Sequence, residues 1–123
     1  MIKQLINALQ ALAAPAERQL ARFPDFVVKA DELALDFDDA LRCAAQAGSP
    51  LSPAQHTALD RVDDVLRRMS TAGNAHVWSD AALRSAPDWA TVRSLAADAL
   101  RALGAPVEPP PPNDAVYVRG RAP

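Results

Sequence analysis

Ile2, Leu5, Ile6, Leu9, Leu12 and Ala13 recur at the i, i+3, i+4, i+7 spacing that gathers apolar side chains on one side of a helix. Pro15 interrupts this stripe, and a second piece carrying Leu20 and Phe23 stops before Pro24. After a connector over 25–29, the pattern predicts a helix from about Ala30 to Ala47, with Gly48 placed to end it in the left-handed conformation. Ser52, Pro53 and Gln55 make the clearest start signal in the chain. The serine can accept from free amides, the proline fits the first helical position, and the glutamine can reach back to the cap. The helix they open runs to about Thr71, with Leu59, Val62, Val65, Leu66 and Met69 inward and Gly73 at its end. Ser79 and Asp80 begin a short helical turn through Arg84. Pro87 and Asp88 then open a last helix whose Trp89, Val92, Ala96, Ala99, Leu100 and Leu103 form a stripe closed by Gly104.

Beyond Gly104 the material changes. Pro106 and the run Pro109 to Pro112 forbid helix and impose polyproline II, and Val116, Tyr117 and Val118 offer a short extended patch before Arg119 and Arg121. Such a tail, poor in backbone donors, is expected to be extended and weakly attached. No repeat and no convincing pair of strands appears. The reading is therefore all-α: an antiparallel bundle of four to five helices over 1–104, followed by an extended Pro-rich tail over 105–123. A chain of 123 residues is long enough for one core that buries roughly two thirds of its unfolded surface. Trp78 and Trp89 are its expected large-residue centre.

Charge changes this picture in one place. The whole chain carries a formal charge of −2, yet residues 25 to 39 hold Asp25, Asp31, Glu32, Asp36, Asp38 and Asp39 against Lys29 alone, a net of −5, which leaves +3 for the remainder. Advancing 100° per residue from Ala30 puts Leu33, Phe37, Ala40, Leu41 and Ala44 on one side and all five carboxylates from Asp31 to Asp39 on the opposite arc. Leu35 falls in the middle of that arc. Glu32 and Asp36, and Asp36 and Asp39, stand at like-charge spacings that cost a few tenths of a kcal/mol each, and only Arg42 is placed to relieve Asp38 or Asp39. An apolar anchor ringed by carboxylates suits a docking surface, as against an ordinary solvated helix face.

Other chemistries find little support. Arginine outnumbers lysine eleven to two, but the arginines are scattered and lack the basic stripe of a nucleic-acid binder, so DNA and RNA are not expected partners. His56 and His76 are isolated, no nucleophile stands beside either, and there is no phosphate loop or Ser-centred elbow. The reading has no catalytic residues, metal ligands or cofactor. Cys43 is alone and excludes an internal disulfide; it is expected to be a buried, inert thiol. No apolar run spans a membrane, and Gln4, Asn7 and Gln10 break up the first helix as a signal peptide would not allow, so the expected setting is the cytoplasm. The first helix, through Ile2, Leu5, Ile6 and Leu9, is a candidate self-association face if the protein is a structural or dimeric one.

Two resemblances bear on the acidic helix. Asp36 and Asp39, with Asp60 and Asp63 or Asp64 on the next helix, resemble the paired acidic motifs by which all-α nucleotide pyrophosphohydrolases hold magnesium, although that family's motifs are glutamate-rich. The general character of the chain, together with the acid-dense Asp31 to Asp39, resembles the small helical immunity proteins of bacterial contact-dependent growth inhibition systems. That resemblance implies tight binding to a cognate toxin domain, often a basic nuclease. It casts Asp31, Glu32, Asp36, Asp38 and Asp39 as charge partners and Leu35 as the anchor.

Overall fold

The structure, a computed structural model, describes residues 2–71 and 73–112. The expected extended patch at Val116 to Val118 lies outside the described residues. Among the described residues six α-helices follow one another: α1 (Lys3–Ala13), α2 (Ala16–Ala21), α3 (Lys29–Gln46), α4 (Pro53–Met69), α5 (Asp80–Ser85) and α6 (Pro87–Ala102), with a 3-10 turn at Ala75–Trp78 before α5. No strand occurs among the described residues. The fold is all-α. Four long helices make the bundle, and the expected count of four to five rises to six because α2 and α5 are separate six-residue pieces.

The stops and starts have local causes. At Ser52 the cap is reciprocal: the Gln55 amide donates to Ser52 Oγ at 3.2 Å, and the Ser52 amide donates to Gln55 Oε1 at 2.8 Å. Gly48 takes φ 66°. That turn lets the amides of Gly48 and Ser49 donate to Ala45 and Ala44 at 3.1 Å each, closing the free carbonyls of α3. Only glycine reaches this conformation without a Cβ penalty.

In the packing, α6 lies between α4 and α1, and α1 lies between α6 and α3, so α3 and α4 are the flanks. Gln55 Nε2 donates to the Ala102 carbonyl at 3.1 Å, joining the start of α4 to the end of α6 and setting the two antiparallel. Ala96 and Ala99, fully buried on α6, let its neighbours approach closely. Leu5 and Leu9 are fully buried within this stack. They are therefore not free for the self-association that their stripe alone allowed: the bundle itself covers them. Trp89 is fully buried, Trp78 half-buried, and their rings meet edge to face with centroids 5.6 Å apart and planes at 90°.

Sequence patterning missed a polar node beside this core. Gln19 is buried on α2 and its Nε2 donates to the carbonyls of Ala11 and Leu12 at 3.2 and 2.9 Å, satisfying the end of α1 where Pro15 breaks the helix. Arg93 of α6 donates to Gln19 Oε1 through Nε and Nη2 at 3.2 and 3.0 Å, and through Nη2 to the Leu83 carbonyl. Burial lowers the Arg93 pKa, the cost of taking a guanidinium out of water.

Two further expectations are corrected. Cys43 is exposed rather than buried; it stands four residues after Asp39 and seven after Asp36, on the outward arc of α3, and its place on the helix overrides the general tendency of cysteine to be interior. The tail is free of helix over 106–112 as expected, yet it is fastened: Gln10 Nε2 donates to the Pro106 carbonyl at 3.1 Å and an Arg22 guanidinium nitrogen to the Pro111 carbonyl at 3.2 Å. Prolines cannot donate, but their carbonyls accept like any other, so side chains of α1 and the end of α2 hold the strap.

Candidate functional site

The face in question begins at an ion pair. Lys29, the first residue of α3, is buried, with its Nζ 3.1 Å from Asp25 Oδ1 and 4.0 Å from Asp80 Oδ2. This ties the start of α3 to the loop before it and to the start of α5. The buried side of α3 is Leu33, Phe37, Ala40 and Ala44, as the helical period requires. Asp31 and Glu32 stand in the first turn, where carboxylates complement the positive end of the helix.

The outward arc is not uniform. Asp31, Leu35 and Asp39 are exposed, Asp38 is half-exposed, and Glu32 and Asp36 lie at the margin, half-buried. Arg42 Nη2 donates to Asp38 Oδ2 at 2.7 Å and to Asp39 Oδ1 at 3.0 Å, so the one arginine of the helix relieves both acids within its reach. Asp31 and Glu32 have no ion-pair partner among the described residues. Burial raises the Glu32 pKa, and Asp36 and Asp31 push it further in the same direction. Burial likewise raises that of Asp36, with Arg22 opposing and Asp39 adding to the rise.

A pH dependence follows with a definite sign. A carboxyl whose folded pKa lies above its unfolded value favours the fold most when protonated, so this contribution is lost as pH rises through the folded pKa. Asp36→Asn should therefore be at least as stable as the native chain at pH 7, gaining a few tenths of a kcal/mol from each relieved like-charge spacing. That advantage should shrink as the pH falls towards 3.8, the ordinary value for Asp36. Urea unfolding at neutral and acid pH measures it, and a variant clearly weaker at pH 7 would show that the Asp36 carboxylate is held by attraction rather than crowded.

Apolar exposure concentrates at the same place. Among the described residues the exposed large hydrophobics are Phe26, Val28, Leu35 and Val107, at 40%, 54%, 52% and 45% of full exposure, and three of these four fall within residues 26–35. Val28 and Leu35 are two helical turns apart on one face, with Asp31 and Glu32 between them. Asp31, Ala34 and Leu35 also form one side of a shallow depression whose other side is Ser70, just past the end of α4, and Trp78. No family model, no curated protein and no solved structure matches the chain.

The structure brings Asp31, Leu35 and Asp39 together on the open part of the arc with Asp38 beside them, and sets Glu32 and Asp36 back at the edge. It does not bring the carboxylates of α3 and α4 together as a magnesium site: the two helices do not pack along one another, α1 and α6 standing between them in the stack, and no group of three or more His, Cys, Asp or Glu among the described residues is gathered to hold a metal ion. On α4, Asp63 pairs with Arg67 at 3.0 Å. Phe26, Val28 and Trp78 are the residues that sequence reasoning left out of the site. Val28 was within reach of the helical wheel, since it lies seven positions before Leu35. Trp78 was not, because only the tertiary fold sets it beside α3.

Proposed function

We propose that this protein is a binding module that docks a basic protein partner on the outward face of α3 and neutralises it. The reading fits an immunity protein that blocks the active site of a cognate toxin domain in the cytoplasm. The observation that supports it most is the coincidence of two independent properties in one short segment: the net −5 of residues 25 to 39 and three of the four exposed large hydrophobics among the described residues. Exposed single leucines are ordinary, but exposed apolar side chains set inside a strongly charged field are the composition of an interface centre with a polar rim. Complementary charge speeds encounter, and a desolvated apolar centre slows release, which together give the persistence that neutralisation requires. No helix among the described residues is long and apolar enough to cross a membrane.

The test is association kinetics against the protein encoded beside this one. Raising the salt should slow association markedly and change dissociation much less, because steering by exposed charge is screened beyond roughly 8 Å at physiological ionic strength. Binding that is indifferent to salt, or magnesium-dependent nucleotide hydrolysis by the purified protein, would replace this reading.

A further inference from the structure

We infer that the depression between α3 and the end of α4 is a socket for one arginine or lysine side chain of the basic partner. The inference rests on the docking reading above and narrows it to a single contact of stated chemistry. Asp31, Ala34, Leu35, Ser70 and Trp78 line the depression. Its volume of about 330 Å³ is near the lower end for ligand pockets, and it is open to solvent, which suits the tip of one side chain rather than an enclosed metabolite.

Several features of different origin favour a cation there. Trp78 is the aromatic wall, and it is a fixed one: its Nε1 donates to the Met69 carbonyl at 2.8 Å and its ring packs against that of Trp89. An indole face is the best aromatic partner for a guanidinium or ammonium group. Asp31 adds a full negative charge, exposed and without an ion-pair partner among the described residues. Ser70 marks the C-terminus of the 17-residue helix α4, whose aligned peptide dipoles leave partial negative charge at that end. The carbonyls of Leu66, Arg67, Arg68 and Met69 are already bonded within the chain, so the helix end supplies potential here rather than a vacant acceptor.

The arginines of the same helix do not cancel this. Arg67 is paired with Asp63, and Arg61 and Arg68 line a different depression, between α4 and α6, with Thr91 and Leu95. Ala34 and Leu35 complete the socket with apolar surface against which the methylene stem of an arginine or lysine can lie while its charged head meets Asp31 and the ring. A hydrophobic side chain would leave Asp31 and the helix end without a counter-charge, and an acidic one would be repelled by both.

The probe is a capped tripeptide, acetyl-Gly-Arg-Gly-amide, with its neutral citrulline counterpart as the control, titrated into nitrogen-15-labelled protein and followed by NMR. The arginine peptide should move the Trp78 indole N–H and the backbone amides of Asp31, Leu35 and Ser70 saturably, leave the Trp89 indole in place, and far exceed the citrulline peptide. Asp31→Asn, a change at an exposed position, should weaken binding about two- to fivefold, the range of an exposed ion pair. An equal response to citrulline overturns the inference. So do shifts confined to Glu32, Asp36, Asp38 and Asp39 with Trp78 unmoved, but that result leaves the acidic face as the docking surface. No response along α3 overturns the socket and counts against the docking reading too.

Discussion

Trp89→Ala is expected to lower the free energy of unfolding by about 3–5 kcal/mol. The ring is fully buried, so truncation opens a cavity at the junction of α6 with the 3-10 turn. It also removes the donor to the Val77 carbonyl, now 2.7 Å from Trp89 Nε1, and takes away the ring against which Trp78 packs edge to face. An unsatisfied carbonyl in an apolar setting adds its own cost to that of the lost burial. Leu35→Ala provides the internal comparison: at about half exposure it should change stability by no more than about 0.5 kcal/mol. Urea unfolding of the two variants under identical conditions measures the contrast, and equal losses would mean that Leu35 is a core residue and that α3 is rotated from the orientation described.

Reversing charge at both Asp31 and Asp39 should weaken partner binding by several kcal/mol, upward of about a hundredfold, because two attractive contacts become repulsive. These positions are preferred to Asp36, which is half-buried close to Arg22, so that a lysine there would disturb the fold as well as the face. Asp31→Lys removes a first-turn carboxylate and costs the helix about 0.3–1 kcal/mol. Asp39→Lys leaves Arg42 its 2.7 Å contact with Asp38. The double variant should therefore fold, as circular dichroism and urea unfolding can check before binding is measured. Unchanged affinity would move the interface away from α3.

Most of the architecture was legible because it is written locally. Ser52, Pro53 and Gln55 specify a helix start through bonds among themselves, and the amides around Gly48 and Gly104 specify helix stops in the same way. What could not be read depends on residues distant in the chain. Gln19 looks like an exposed polar position until Arg93 and the end of α1 are brought to it. The tail was expected to be weakly attached because prolines lack donors, and the donors turned out to be the side chains of Gln10 and Arg22. Cys43 was misjudged for a different reason: a residue-type tendency was weighed above the helical position that also determines its neighbours. For the site, the carboxylates and Leu35 were visible in sequence as a face, whereas the distinction between its open centre and its half-buried margin required the packing of α3 on the bundle.

The place of α1 in the stack has a consequence during synthesis. Its leucines are covered by α3 on one side and by α6 on the other, and α6 is not complete until Ala102. At 5–20 residues per second, the ribosome needs roughly 5–20 seconds to travel from the end of α1 to that point. Through that interval Leu5, Leu9 and Leu12 keep one flank without its permanent neighbour, and the nascent chain carries an adhesive stripe that a chaperone or another nascent chain could occupy first. Productive folding of this bundle thus waits on α6, which seals the much earlier α1.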